Sequence, residues 1–185
     1  MKYHSRSGFT LVELLVVITI VGILITLTVP TVGGAMEKAK KVEAGVMVQQ
    51  LRVAMNAYYT EYGRWPRLSE RDVWLGREVY PLLIGRNEPA SENPNPREIR
   101  FIEIQSKVLR NSDDLRKPVI SASEADTFVD PWNQEYFLSL DLDYNNEIDL
   151  PQPFIGEANA PVIIWSIGKQ KDLANLDRDA FIKSW

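Results

Sequence analysis

Residues Ser7–Pro30 read SGFTLVELLVVITIVGILITLTVP, and inside them Phe9 to Val29 is a run of 21 residues with one charge, Glu13. At 1.5 Å of rise per residue, a helix of that length spans roughly 31 Å, about the apolar thickness of a bilayer. The many β-branched residues weaken a helix in water. In lipid the helix is enforced, because each backbone polar group has to be paired within the segment. Ahead of the run stands the basic, polar MKYHSRSG. Positive charge before an apolar run keeps that end in the cytoplasm and sends the remainder across. As a secretory signal the run is too long, and its exit, Val29-Pro30-Thr31-Val32-Gly33-Gly34, lacks a small-residue cleavage site. As a plain membrane anchor it leaves Glu13 unexplained. A carboxylate one turn inside a lipid helix costs about 2.5–3.5 kcal/mol, and this helix offers it no partner.

The same residues resemble the N-terminus of type IV prepilins and type II secretion pseudopilins. Gly8 matches the last leader residue and Phe9 the first mature one. Glu13 falls at the fifth mature position, and Pro30 where that family often bends its helix. The resemblance implies that a membrane prepilin peptidase cuts after Gly8 on the cytoplasmic side and N-methylates Phe9. The helix then stays in the bacterial inner membrane until the subunit enters a filament. A side chain at position 8 would hinder close approach of the peptidase to the backbone. Cleavage also creates an α-ammonium on Phe9. In a helical stack, the ammonium of one subunit meets Glu13 of its neighbour, and a misregistered subunit leaves that charge unpaired.

Pro30 removes a helix donor and Gly33-Gly34 loosen the backbone, so a kink or local melting is expected there. Helical periodicity then resumes. Ala44, Val48, Leu51, Met55, Tyr58 and Tyr62 step by three and four along one apolar stripe that should pack on a sheet. The helix should end near Tyr62-Gly63, with Pro66 soon after. Ser69-x-x-Asp72 is a possible cap for a short helix carrying Val73, Trp74 and Leu75, and Tyr80 to Gly85 is another apolar piece. Asn87 to Arg97 has three Pro and reads as a surface loop. Arg100 to Ile104 reads as a short strand or edge, and Lys107 to Lys117 as irregular. Tyr136 to Asp141 and Pro161 to Ser166 read as strands. Tyr62-Gly-Arg-Trp-Pro66, Asp130-Pro-Trp-Asn133, Ser166-Ile-Gly168 and the terminal Ile182-Lys-Ser-Trp185 resemble segments of major pseudopilins. Asn133 stands where that family has Gly, and both residues tolerate a left-handed turn. The expected fold is α+β and pilin-like, one long N-terminal helix, its first half transmembrane, on a small antiparallel C-terminal sheet. The expected division is a leader at 1–8, the helix at 9–62 and a globular head at 63–185.

Of the 185 residues none is Cys and one is His, His4, which excludes disulfides, thiol chemistry and His-based catalysis in the head. The net charge of −4 argues against a nucleic-acid partner. Residues 119–185 alone carry 12 acidic and 4 basic groups, an excess that draws cations or a basic partner or is simply a solvated surface. Asp141, Asp143, Asn145 and Asp149 stand at positions 1, 3, 5 and 9 of a calcium-type loop. Asn146 replaces the loop glycine and Gln152 the final carboxylate, and the alternative is an Asp/Asn-rich hairpin turn. In the family, calcium sits in the loop after the Ser-x-Gly segment. Here Ser166, Asp172, Asp177 and Asp179 are the corresponding candidates, although Gln170 stands where an acidic residue is usual.

No other cofactor is expected. The first functional reading is a structural one, a pseudopilin-like subunit of a periplasmic secretion filament. Its partners would be the prepilin peptidase, copies of itself and other pseudopilins, the inner-membrane assembly platform and membrane lipid. A type IV pilin for adhesion, motility or DNA uptake shares the N-terminus. The other class is a single-pass membrane protein with a periplasmic or extracellular head that binds a ligand or uses Asp130 and Asp141 as acid and base.

Overall fold

The computed structural model describes residues 9–66, 73–86, 95–111, 113–119, 125–170 and 177–185, with the backbone alone described at 27–32 and 118. The chain divides into two units, Met1–Ala39 and Lys40–Trp185.

The long helix α1 runs over Leu11–Tyr62. Its backbone is helical through Pro30, Gly33 and Gly34, so the local melting expected there is absent. A proline removes only one backbone donor, and the intact turns on both sides carry the helix across that gap. In the first unit the large apolar side chains from Phe9 to Ile25 are exposed, between 47% and 80%. The hydroxyls of Thr19 and Thr26 fold back onto their own helix, donating to the carbonyls of Leu15 and Gly22 at 2.7 and 2.5 Å. Polar groups on this stretch are thus satisfied without a second element, as an apolar surrounding requires. Among the described residues no helix is long and apolar enough to cross a membrane. The described apolar side chains stop at Thr26, sixteen residues or about 24 Å from Leu11. A membrane-spanning first half is therefore not established by the fold.

In the second unit, α1 from Lys40 onward packs on a sheet. Four antiparallel strands, β1 (Trp74–Leu75), β5 (Phe137–Leu140), β8 (Val162–Ser166) and β9 (Ile182–Lys183), lie in the order β1-β5-β8-β9. The expected stripe is the buried face of the helix. Ala44, Val48, Leu51, Met55 and Tyr58 are almost wholly buried and Tyr62 partly so, and Met47 and Ala54 widen the stripe. They meet Leu138, Leu140, Val162, Ile164 and Ile182. The alternate residues Ile163 and Trp165 point into a second cluster with Ile148, Ala158, Ile167 and Phe181. That second layer is the hairpin of β6 (Ile148–Asp149) and β7 (Glu157–Ala158). A strand covered on both faces reads as a continuous apolar run, which is why β8 is buried throughout.

The rest of the head departs from the sequence reading in three places. Trp74 and Leu75 are a strand pairing Leu138 and Phe137, and the short helix α2 begins after them at Gly76–Leu83. Glu78 caps it by accepting the backbone N–H of Leu75 at 2.7 Å, whereas Ser69 and Asp72 lie outside the described residues. Lys107–Lys117 is not irregular. A 3-10 turn at Ser106–Val108 leads into β2 (Leu109–Asn111) and β3 (Asp114–Pro118), and β2 also pairs β4 (Thr127–Phe128). Polar side chains hid this hairpin, because Arg110 spends its guanidinium on the carbonyls of Lys107, Leu109 and Leu115. Residues 98–105, read as a strand at Arg100–Ile104, belong to no sheet. The α1 helix ends as expected, with Gly63 left-handed at φ +66° and its N–H on the Tyr59 carbonyl.

Burial pushes the hydroxyl of Tyr58 up to about 12 and raises those of Tyr80 and Tyr136. An unfolded tyrosine ionises near pH 10. Stability from these groups is complete below that value and is lost as pH climbs through the folded ones. Thermal melts of the detergent-solubilised chain should hold steady up to about pH 10 and fall steeply above it, and Tyr58→Phe should blunt the fall. A flat profile through that range would show that the stripe is not buried.

Candidate functional site

The start of α1 is set by two residues. The Thr10 hydroxyl accepts the backbone N–H of Glu13 at 3.2 Å, and Glu13 Oε2 accepts the Thr10 backbone N–H at 2.9 Å and its hydroxyl at 2.8 Å. This is a reciprocal Thr-x-x-Glu cap, which satisfies donors that a helix start leaves unpaired. Glu13 therefore has a partner within its own helix, contrary to the sequence reading. The pattern was visible in Thr10-Leu-Val-Glu13, but a buried carboxylate prompts a search for a cation and not for a backbone amide. Phe9 lies immediately outside the cap and is 75% exposed. Gly8 and the rest of the leader lie outside the described residues, and Pro30 lies in the continuous helix.

In the head, two of the short segments singled out from sequence meet. Asp130 is 2% exposed. Its Oδ1 accepts the backbone N–H groups of Trp132 and Gln134 at 2.8 Å each, and its Oδ2 accepts the Ser166 hydroxyl. Ser166 Oγ in turn accepts the Gly168 N–H at 2.9 Å. One buried carboxylate thus ties the Asp-Pro-Trp-Asn turn to the Ser-Ile-Gly turn. Burial raises the Asp130 pKa, opposed by the hydrogen bonds from Ser166, Gln134 and Trp132 and by Lys40. Asn133 adopts φ +62°, the left-handed conformation expected for it. At Gly168 φ is +63°, and a Cβ would lie 2.6 Å from the Ala180 carbonyl oxygen, so no other residue fits there without movement. Beside this turn Glu135, 7% exposed, takes Arg77 in a two-pronged ion pair and the Thr127 hydroxyl at 2.9 Å. Arg77 lies in the first turn of α2, so the pair fixes that helix to the turn.

The two calcium-type loops are built differently from one another. Asp141, 4% exposed, accepts the N–H groups of Asn145 at 3.1 Å and Asn146 at 2.7 Å, one on each carboxylate oxygen. Asp143 accepts the Asn145 amide, and Asn145 Oδ1 accepts the Glu147 N–H. Tyr144 and Asn146 are left-handed. Asp149 lies apart on β6, across from Glu157. These bonds are those of an Asp/Asn-rich turn. In the second loop Ser166 is committed to Asp130, and Asp177 caps a 3-10 turn at Arg178–Ala180 by accepting the Asp179 N–H. Gln170 closes the loop through Asp177, accepting its N–H and donating to its carbonyl. Asp172 lies outside the described residues. Among the described residues no three His, Cys, Asp or Glu side chains are grouped as metal ligands. The proposed acid and base, Asp130 and Asp141, are each occupied in a turn of their own.

Asn95 was missed by the sequence reading, which gave Asn87–Arg97 to the surface. Residues 87–94 lie outside the described ones, but Asn95 is 1% exposed. Its amide donates to the carbonyls of Leu82 and Ile99 at 2.8 Å, and its oxygen accepts the Tyr62 hydroxyl at 2.6 Å. It joins the end of α1 to the end of α2. No spacing rule marks such a residue, because its partners come from three separate segments.

Residues 3–29 match the family described as the prokaryotic N-terminal methylation motif. Type II secretion system core protein G of Aeromonas hydrophila is 41% identical over 66 residues, 36% of this chain and 46% of that protein. The type IV major pilin protein PilE1 of Neisseria gonorrhoeae is 38% identical over 61 residues, 33% of this chain and 37% of that one. Core protein G of Klebsiella michiganensis is 38% identical over 66 residues, with shares of 36% and 46%. The chain spans less than half the length of these curated relatives. No solved structure matches.

Asp141→Ala removes the acceptor of two backbone amides in an exposed turn and should destabilise the head by about 1–2 kcal/mol. Urea unfolding in millimolar calcium and in chelator should give the same loss, as befits a turn. A loss seen only in calcium would instead put an ion on Asp141, Asp143, Asn145 and Asp149.

Proposed function

We propose that this chain, whose N-terminal third is that of the type IV pilin and type II secretion core protein G family, is a pseudopilin-like subunit. A prepilin peptidase cuts it between Gly8 and Phe9 and methylates Phe9, and copies then polymerise into a periplasmic filament of a type II secretion system. The observation that carries this reading is the Thr10–Glu13 cap at the mouth of an apolar helix with exposed side chains. Cleavage one residue before Thr10 leaves a folded helix start that needs no further trimming. Before assembly, lipid covers the apolar side chains. That makes the first half of α1 a single span of the inner membrane, with its N-terminus cytoplasmic and its head periplasmic. The assembly platform of that membrane and other pseudopilins are the remaining partners. No nucleic acid and no catalytic step enters the reading.

The cap changes the role argued for Glu13. Its carboxylate already accepts two hydrogen bonds from Thr10, which lowers the cost of carrying it in lipid. It retains free lone pairs for the Phe9 ammonium of a neighbour. The buried link between Asp130 and Ser166 supports the pseudopilin reading over the pilin one, because it joins the two head segments that resemble major pseudopilins. A type IV pilin remains the second reading, favoured by the near-equal identity to gonococcal pilin.

Intact mass of the chain extracted from cells with an active prepilin peptidase should show loss of residues 1–8 and a gain of one methyl group. A retained leader would overturn the reading. Glu13→Gln keeps an acceptor for Thr10 but loses the charge, so it should be cleaved normally yet assemble at least tenfold less. Assembly equal to wild type would remove the pairing between copies. Deleting the gene and assaying secretion and twitching separately decides between the two filament types.

A further inference from the structure

Beside the end of α2 the head holds a concave cleft of about 630 Å³, the size of a small-molecule site. One wall is the end of that helix with the turn after it, and another is the extended segment 100–104. The two walls are tied together. The Phe101 N–H donates to the Leu83 carbonyl at 2.8 Å, and the Asn95 amide donates to the carbonyls of Leu82 and Ile99. The cleft is therefore preformed in the folded head.

Three donors line it. Arg86 donates to the Ala125 carbonyl at 2.8 Å, and its guanidinium lies over the Tyr80 ring, 5.7 Å from the centroid, so it is a cation fixed in place. Arg100 is exposed and makes no hydrogen bond or ion pair among the described residues. Tyr80 is 1% exposed, and among the described residues its hydroxyl has no hydrogen-bond partner. A buried phenol ordinarily finds one. This hydroxyl is not sealed in the core, so it opens on the cleft that Tyr80 lines. Burial raises the Tyr80 pKa, and Arg86 and Arg100 both oppose the rise, with Asp126 acting the other way. Both guanidiniums thus lie within electrostatic reach of the phenol. Glu103 also lines the cleft and makes no ion pair among the described residues. Two cations against one acid leave the lining one positive charge in excess.

We infer that this cleft binds an organic anion, a single carboxylate on an apolar body. Arg86, Arg100 and the Tyr80 hydroxyl hold the carboxylate, and Ile102, Ile104 and Leu109 cover the body. A guanidinium matches a carboxylate with two parallel N–H bonds, and the phenol supplies a further donor. The body is needed because an inorganic anion would leave the aliphatic wall in water. One charge is selected because Glu103 repels a second. A free acid and the C-terminus of an extended polypeptide share this chemistry. The site lies wholly in the head, so the inference stands whichever filament the chain builds.

Calorimetry on the full chain in lipid nanodiscs, with empty nanodiscs as the blank, tests it with hydrocinnamate. The acid should bind at least tenfold more tightly than its amide, which has the body without the charge. It should exceed acetate, which has the charge without the body, by as much. Arg100→Gln and Tyr80→Phe should each weaken the acid about tenfold, the worth of one charge-assisted hydrogen bond. Both variants should melt as wild type, because neither group bonds another in the fold. Arg178→Gln, exposed and outside the cleft, should bind as wild type. An acetylated tripeptide ending in phenylalanine separates the two sources. Tighter binding than hydrocinnamate assigns the cleft to a polypeptide terminus, and weaker binding to a free acid. Equal affinity for acid and amide, or no binding of the acid, overturns the inference. So does an affinity that Arg100→Gln and Tyr80→Phe leave unchanged, or a melting temperature that Tyr80→Phe lowers.

Discussion

The constraint on which the rest depends is an apolar helical surface that the described residues leave exposed. From Phe9 to Ile25 the large apolar side chains of α1 are exposed among the described residues. Twelve exposed aliphatic residues, at about 1.5–3 kcal/mol each on full burial, put tens of kcal/mol at stake. Leaving such a surface in water is costly, which supports the proposal that lipid or other copies cover it. The helix meets that demand by satisfying its own polar groups, with the hydroxyls of Thr19 and Thr26 turned back on the helix and the first amides capped by Thr10 and Glu13.

The second part of the same helix obeys the opposite rule. There one face is buried to near completion by Ala44, Val48, Leu51, Met55 and Tyr58 against β5 and β8. The sheet is short, and its edges and turns are held by buried, hydrogen-bonded polar side chains. Asp130 fastens two turns, Glu135 holds Arg77 of α2, Asn95 links the ends of both helices, and Asp141 closes the 141–149 turn. Asp130, Asp141 and Asp177 accept backbone amides in their turns. A carboxylate that accepts two N–H bonds stabilises a turn that has little apolar surface to bury.

The helix was legible in the sequence because its periodicity is strong and long. The stripe from Ala44 to Tyr62 and the end at Gly63 are where three- and four-residue spacing put them. The β8 run PVIIWS was legible too, since a strand buried on both faces has no polar alternation to confuse. The middle of the chain was not. Trp74 and Leu75 pair with a strand more than 60 residues away, and the β2–β3 hairpin is made of Arg, Asn, Asp and Lys whose backbone pairing outweighs their propensity. At the candidate site, Glu13 stood out as the one charge in an apolar run and Gly8 and Phe9 through the resemblance to prepilins, but the partner of Glu13 did not. A lone acid in an apolar run was set against cations, and the nearest donors were a threonine hydroxyl and its amide.

The central claim is that the head folds without the apolar segment, which serves only lipid or other copies. The most direct measurement is a thermal melt, with sedimentation equilibrium, of the chain beginning at Gly34 in detergent-free buffer. A monomer with one cooperative transition at the midpoint of the full chain in detergent is the predicted result. A chain that is unfolded, or that remains associated without residues 9–33, would contradict the account.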